Sequence, residues 1–134
     1  MDQYRTGRVE NAGGVAIHRA VVEGAAQGGV ALPAGADVAG FAGITQEAQV
    51  LGRPVSLKRR GVTAAVAAAG VARGDYVNIA DALGRMKSCN ADVIAAPGPA
   101  LVVHVVGKAL SAATNLGDVF EMEINEFVVN RAAS

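Results

Sequence analysis

His18, His104 and Cys89 are the only imidazole and thiol side chains in this 134-residue chain, and soft-ligand metal chemistry would have to start from them. They are scattered, and no two stand at the short spacings that zinc ligands use. A lone cysteine also excludes an intrachain disulfide and a multi-cysteine metal centre. His104 sits inside the valine-rich run 101–106, where a hydrogen-bonded core or interface histidine is the expected outcome. Thr6, Thr45, Ser56, Thr63, Ser88 and Cys89 are candidate nucleophiles, but no G-x-S-x-G elbow accompanies them. The glycines form neither G-x-x-x-x-G-K-[ST] nor a G-x-G-x-x-G opening a helix, so phosphate-cradle chemistry has no support. The sequence therefore predicts no enzyme: no catalytic residue, no cofactor and no metal.

Two short motifs carry other chemistry. Arg73-Gly74-Asp75 spells the adhesion tripeptide, yet its Gly-Asp already serves as a turn before a strand. Met86-Lys87 invites comparison with biotinyl and lipoyl carrier domains. The acidic residue and second methionine that flank the modified lysine there are missing, and Ser88-Cys89-Asn90 follows instead. An ordinary exposed lysine is the simpler reading of Lys87.

Charge is more informative locally than in total. Twelve Lys and Arg balance twelve Asp and Glu, so nothing points to bulk attraction to nucleic acid or to an anionic membrane. The balance is uneven along the chain: Arg53, Lys58, Arg59 and Arg60 are clustered, as are Asp118, Glu121, Glu123 and Glu126. Two solvated faces, or a pairing across a sheet or a subunit boundary, account for this equally well.

The elements that carry these residues read as strands. Met1 to Gly14 is polar and has no strand or helix period, so a flexible N-terminal arm, residues 1–14, is expected ahead of a single β domain at 15–134. Strands are expected at 15–22, 29–32, 38–45, 55–60, 62–66, 76–79, 101–106 and 118–125, with 127–129 continuing the last. A single helical turn fits 46–52, and a hairpin or bulge fits Gly61. The 101–106 run has the composition of a strand buried on both faces. Ala64 to Ala69 is a weaker helix candidate. Pro97-Gly98-Pro99 marks a loop over 90–100. The sum is an all-β barrel or sandwich of about eight to ten short strands. An internal likeness is visible between Arg53–Ile79 and Val102–Asn125: strand, glycine turn, Ala-rich link, Gly-Asp, strand.

Composition bounds the core. There is no Trp, with three Phe and two Tyr, so burial must come from Val, Ile, Leu and Ala. A light core of this kind is supplemented naturally by burial against another subunit. No run reaches the ~18 apolar residues of a membrane span, and the N-terminal stretch lacks a signal-peptide core. A soluble, cytoplasmic chain is the expectation.

The order of several segments carries a resemblance. Val38-Ala39-Gly40-Phe41-Ala42, Arg60-Gly61-Val62 and Gly74-Asp75-Tyr76-Val77 are followed by Gly107-Lys108-Ala109-Leu110-Ser111-Ala112-Ala113 and by Gly117-Asp118-Val119 through Asn125. In composition and layout the chain resembles small bacteriophage capsid decoration (cement, head-stabilising) proteins, over about Val15 to Asn125. The resemblance implies a structural virion protein on the outer surface of an icosahedral head, made in the host cytoplasm and added after shell assembly. It also implies a homotrimer that clamps neighbouring copies of the major capsid protein. Tyr4, Arg5, Arg8, Arg53, Lys58, Arg59, Arg60, Glu121 and Glu123 are then the candidate capsid or subunit interface. A β-barrel carrier modified on Lys87, a trimeric β enzyme subunit and a virion neck or adaptor protein are the competing readings.

Overall fold

The computed structural model describes residues 2–93 and 101–131. It is all-β, with nine strands and one turn of helix, α1 (Asn90–Val93). The first unit contains β1 (Gln3–Val9), β2 (Ala20–Glu23), β3 (Gly29–Ala31), β4 (Phe41–Thr45) and the first half of β5 (Pro54–Val66). These run side by side in the order β1-β3-β2-β4-β5, and a β1–β5 pairing closes the ring into a barrel. The second unit takes the other half of β5 with β6 (Tyr76–Ile79), β7 (Met86–Ser88), β8 (Leu101–Ala109) and β9 (Val119–Arg131), in the order β5-β9-β8-β6-β7. A parallel bridge from Ala67 to Met86 returns β7 to the end of β5.

The two units share one topology, and their hydrogen bonds match pair by pair. Ala20 and Val21 face Ile44 and Gly43 in the first unit as Tyr76 and Val77 face Lys108 and Gly107 in the second. The Val9–Val30 parallel pair is matched by Ala67–Met86, and the Val15–Gln49 bridge by Val71–Ala113. Gly52 N–H donates to the Val9 carbonyl as Gly117 N–H donates to that of Ala67. His18 N–H reaches the Thr45 carbonyl as Gly74 N–H reaches that of Ala109. Both closing strands, β5 and β9, are 13 residues long. The chain is thus a tandem repeat in which β5 ends the first unit and begins the second.

This frame corrects the internal likeness read from sequence. Gly74-Asp75 and Gly117-Asp118 are both turns, but they occupy different places in the repeat. Gly74 is matched by His18, and Gly117 by Gly52. The sequence signal that does follow the repeat is Gly14-Val15-Ala16 against Gly70-Val71-Ala72, and Leu51-Gly52 against Leu116-Gly117.

The N-terminal segment is also a correction. Gln3–Val9 is no free arm but a barrel strand, antiparallel to β5 and parallel to β3. Its inward positions include Gly7, whose added Cβ would lie 2.7 Å from Val30 Cγ1, and the buried Val9. So few bulky residues face inward that the segment reads as polar. Residues 46–52 form turns and a bridge rather than a helical turn, and Ala64–Val66 are strand rather than helix. At Gly61 the chain runs on as one strand, with the register shift falling where Lys58 and Arg60 face Tyr4 and Gln3. The first four residues of the expected loop are α1; its remainder, 94–100, lies outside the described residues.

The core has two main parts. Val9, Val15, Val21, Val30, Ala42, Val55 and Leu57 fill the first barrel. Ala65, Ala67, Val77, Ile79, Met86, Phe120, Met122 and Ile124 fill the second unit, joined by Ala20, Phe41 and Ile44 from the first. Those three side chains, with the Ala20 N–H donating to the Gly84 carbonyl at 2.8 Å, bind the units into one body.

Candidate functional site

Among the described residues, no group of three His, Cys, Asp or Glu side chains converges. His18 takes a left-handed backbone conformation at φ 60° with a buried, unpartnered Nδ1. His104 is half buried, its backbone N–H donating to Asp37 at 3.0 Å. That carboxylate also accepts from Asn78 Nδ2 at 3.1 Å, so it ties β4's entrance to β6 and β8. Cys89 is buried against Val103 and Val105. Lys87 lies on β7, half buried, rather than at a hairpin tip.

The basic residues belong to the first barrel. Tyr4 faces Lys58 across the β1–β5 pair, and the Lys58 ammonium stands 5.2 Å from the Tyr4 ring centroid. Lys58 is buried, yet its Nζ donates to the Val62 carbonyl at 2.6 Å and pairs with Asp2 at 3.2 Å. Burial works against its charge, but Tyr4 and Asp2 outweigh it and hold the pKa above the usual lysine value. Arg5 forms a two-pronged ion pair with Glu23, whose hydrogen bond lowers the Glu23 pKa below its ordinary value. Arg8, Arg53, Arg59 and Arg60 are exposed.

The acidic residues belong to the second unit. Glu121 and Glu123 lie on the exposed face of β9 opposite Ala64 and Val62, in the apolar half of β5. The basic and acidic stretches therefore sit on adjoining strands but at different heights. Among the described residues the ion pairs are Arg5–Glu23, Lys58–Asp2 and Arg85–Asp81, and none joins the two stretches. Arg60 and Glu123 line one shallow depression.

The sequence reading missed a second feature. Beyond Ile124, β9 leaves β5 and, among the described residues, continues with β8 alone as a two-stranded ribbon, Leu101–Val105 against Phe127–Arg131. One side of the ribbon packs Val103, Val105 and Val129 on Cys89, Tyr76 and Val93, with Phe127 edge-on to Tyr76 at 5.6 Å. On the other side Val102 is 48% and Val128 56% exposed, so this strand is not buried on both faces as its composition had implied. Between Val38–Phe41 and Glu126–Val128 runs a cleft of about 160 Å³, with His104 in its wall. Only the bare fact that 127–129 is apolar on both faces could have flagged the ribbon.

No protein-family model and no curated protein sequence matches the chain. Among solved structures, the fold is similar to the head fiber gp8.5 N base of bacteriophage phi29, with a TM-score of 0.64 at 13% identity. The likeness covers 93% of this chain and 95% of that one, so it takes in the whole two-unit architecture rather than a single barrel.

Proposed function

We propose that this protein is a structural component of a bacteriophage virion that attaches to the outside of the head. The observation that carries the reading is the end-to-end fold likeness to the base of a phage head fiber. The order of segments that resembles capsid decoration proteins points the same way. In this reading the protein binds the major capsid protein, assembles as a homotrimer and closes seams between capsomers, with no substrate turned over. The exposed basic face of the first barrel and the exposed apolar ribbon supply contact chemistry without a catalytic group. Each contact need be only modest, because many copies on one shell act together.

Co-sedimentation with expanded heads lacking the protein tests this. Saturable, stoichiometric binding, and a higher temperature for DNA release from filled heads once bound, are the expected results. Heads that sediment without the protein at micromolar concentration would remove the reading. Binding with an unchanged release temperature would leave attachment standing and remove the stabilising role.

A further inference from the structure

We propose that the open edge of β9 at Glu126–Arg131 is a self-association site that takes the β1 edge of a second copy of this chain. The inference builds on the self-assembly in the reading above, but it concerns the isolated protein and needs no head.

The tandem repeat is the first support. The β9 segment after Ile124 is the register counterpart of the half of β5 that enters the second unit. That half of β5 has β9 along one edge, and just past its end a bridge to β7 on the other. The β9 segment pairs with β8 only, among the described residues, so one row of N–H and C=O groups stays open. In β5, a segment in this position carries another five-strand unit of the same fold. In β9, a unit from a second copy fits the same place.

Charge and exposure choose the partner surface. Residues 1–60 hold seven Lys and Arg against five Asp and Glu, and residues 61–134 hold five against seven. A head-to-tail contact brings the basic unit of one copy to the acidic unit of the next, which a like-to-like contact does not. In the first unit, β1 has its own open edge, since β3 reaches it only at Arg8 and Val9. There Tyr4 is 61% exposed and Arg8 points to solvent. The cleft beside Phe127 and Val128, with Val38 and Phe41 across it, provides a mixed apolar and polar seat for a tyrosine ring, and exposed Glu126 is part of its lining. Head-to-tail contacts close into rings when the rotation allows, which suits a trimer.

Light scattering of the isolated protein, with Val128→Lys and Tyr4→Ala, tests the site. The native chain should give a mass that is a multiple of 13.5 kDa at micromolar concentration. Each variant should weaken association at least tenfold, and an equimolar mixture of the two should pair the one intact β9 edge with the one intact β1 edge, forming dimers. Circular dichroism and thermal melting of each variant as a monomer check that the fold is kept; both positions are more than half exposed. A native chain that stays monomeric, or folded variants that associate like the native chain, would overturn the proposal. Either result leaves the head-binding assay to be judged on its own.

Discussion

Gly107 and Gly43 occupy the same place in the two units, and the same neighbours forbid a side chain there. A Cβ on Gly107 would lie 2.0 Å from the Glu123 carbonyl oxygen; one on Gly43 would lie 2.9 Å from Leu57 Cβ. Gly107→Ala should therefore lower stability by about 2 kcal/mol or more in urea unfolding, the usual scale of overpacking a tight contact. Deleting the largest buried ring by Phe120→Ala should cost about 3–5 kcal/mol. Electrostatics contribute less. The hydrogen bond from Arg5 lowers the Glu23 pKa. At Asp81, burial opposes the charge, but Arg85 and two backbone donors outweigh it and lower that pKa as well. Groups depressed in this way stabilise the fold above their unfolded pKa values, and the contribution fades as pH falls through the folded ones. The melting temperature should thus drop as pH falls below about 4. Glu23→Gln should remove part of that dependence, by less than about 1 kcal/mol because the pair is exposed. Lys58 has the opposite sign: its raised pKa adds stability that is full below about 10.4 and fades as pH rises through the folded value.

Among the elements, β5 matters most, because one strand belongs to two units. Strands sharing a backbone and a common core cluster cannot unfold separately without exposing Ala20, Phe41 and Ile44. Calorimetry should show a single transition whose van't Hoff and calorimetric enthalpies agree; two resolved transitions would contradict a shared core. How far such elements could be read from sequence depended on which side chains face inward. β9 was legible over Phe120, Met122 and Ile124 because bulky residues alternate cleanly with Glu121 and Glu123. β1 was not, because its buried positions are Gly7 and Val9, and a glycine filled by Val30 leaves no hydrophobic period. The tandem repeat hid for a related reason: hydrogen-bond register preserves it while identities such as His18 against Gly74 do not. The candidate interface was legible as charge in Arg53–Arg60 and Glu121–Glu123. Its apolar ribbon was not, since exposure at Val102 and Val128 follows from β9 outrunning β5, a fact of topology.

On the scale of the whole molecule, two like units joined through one strand make a body with a basic stretch on the first, an acidic stretch on the second and, among the described residues, an unpaired sheet edge at the end of β9. In the proposed function such a body acts in a lattice, where repeated modest contacts add. The proposal rests on the fold likeness to a phage head fiber base. The most direct test is electron cryomicroscopy of expanded heads lacking this protein, imaged with and without it. The account predicts added density on the outer surface, repeating with the symmetry of the shell and fitted by this two-unit fold at sites between capsomers. Shells that remain bare at saturating protein would contradict it.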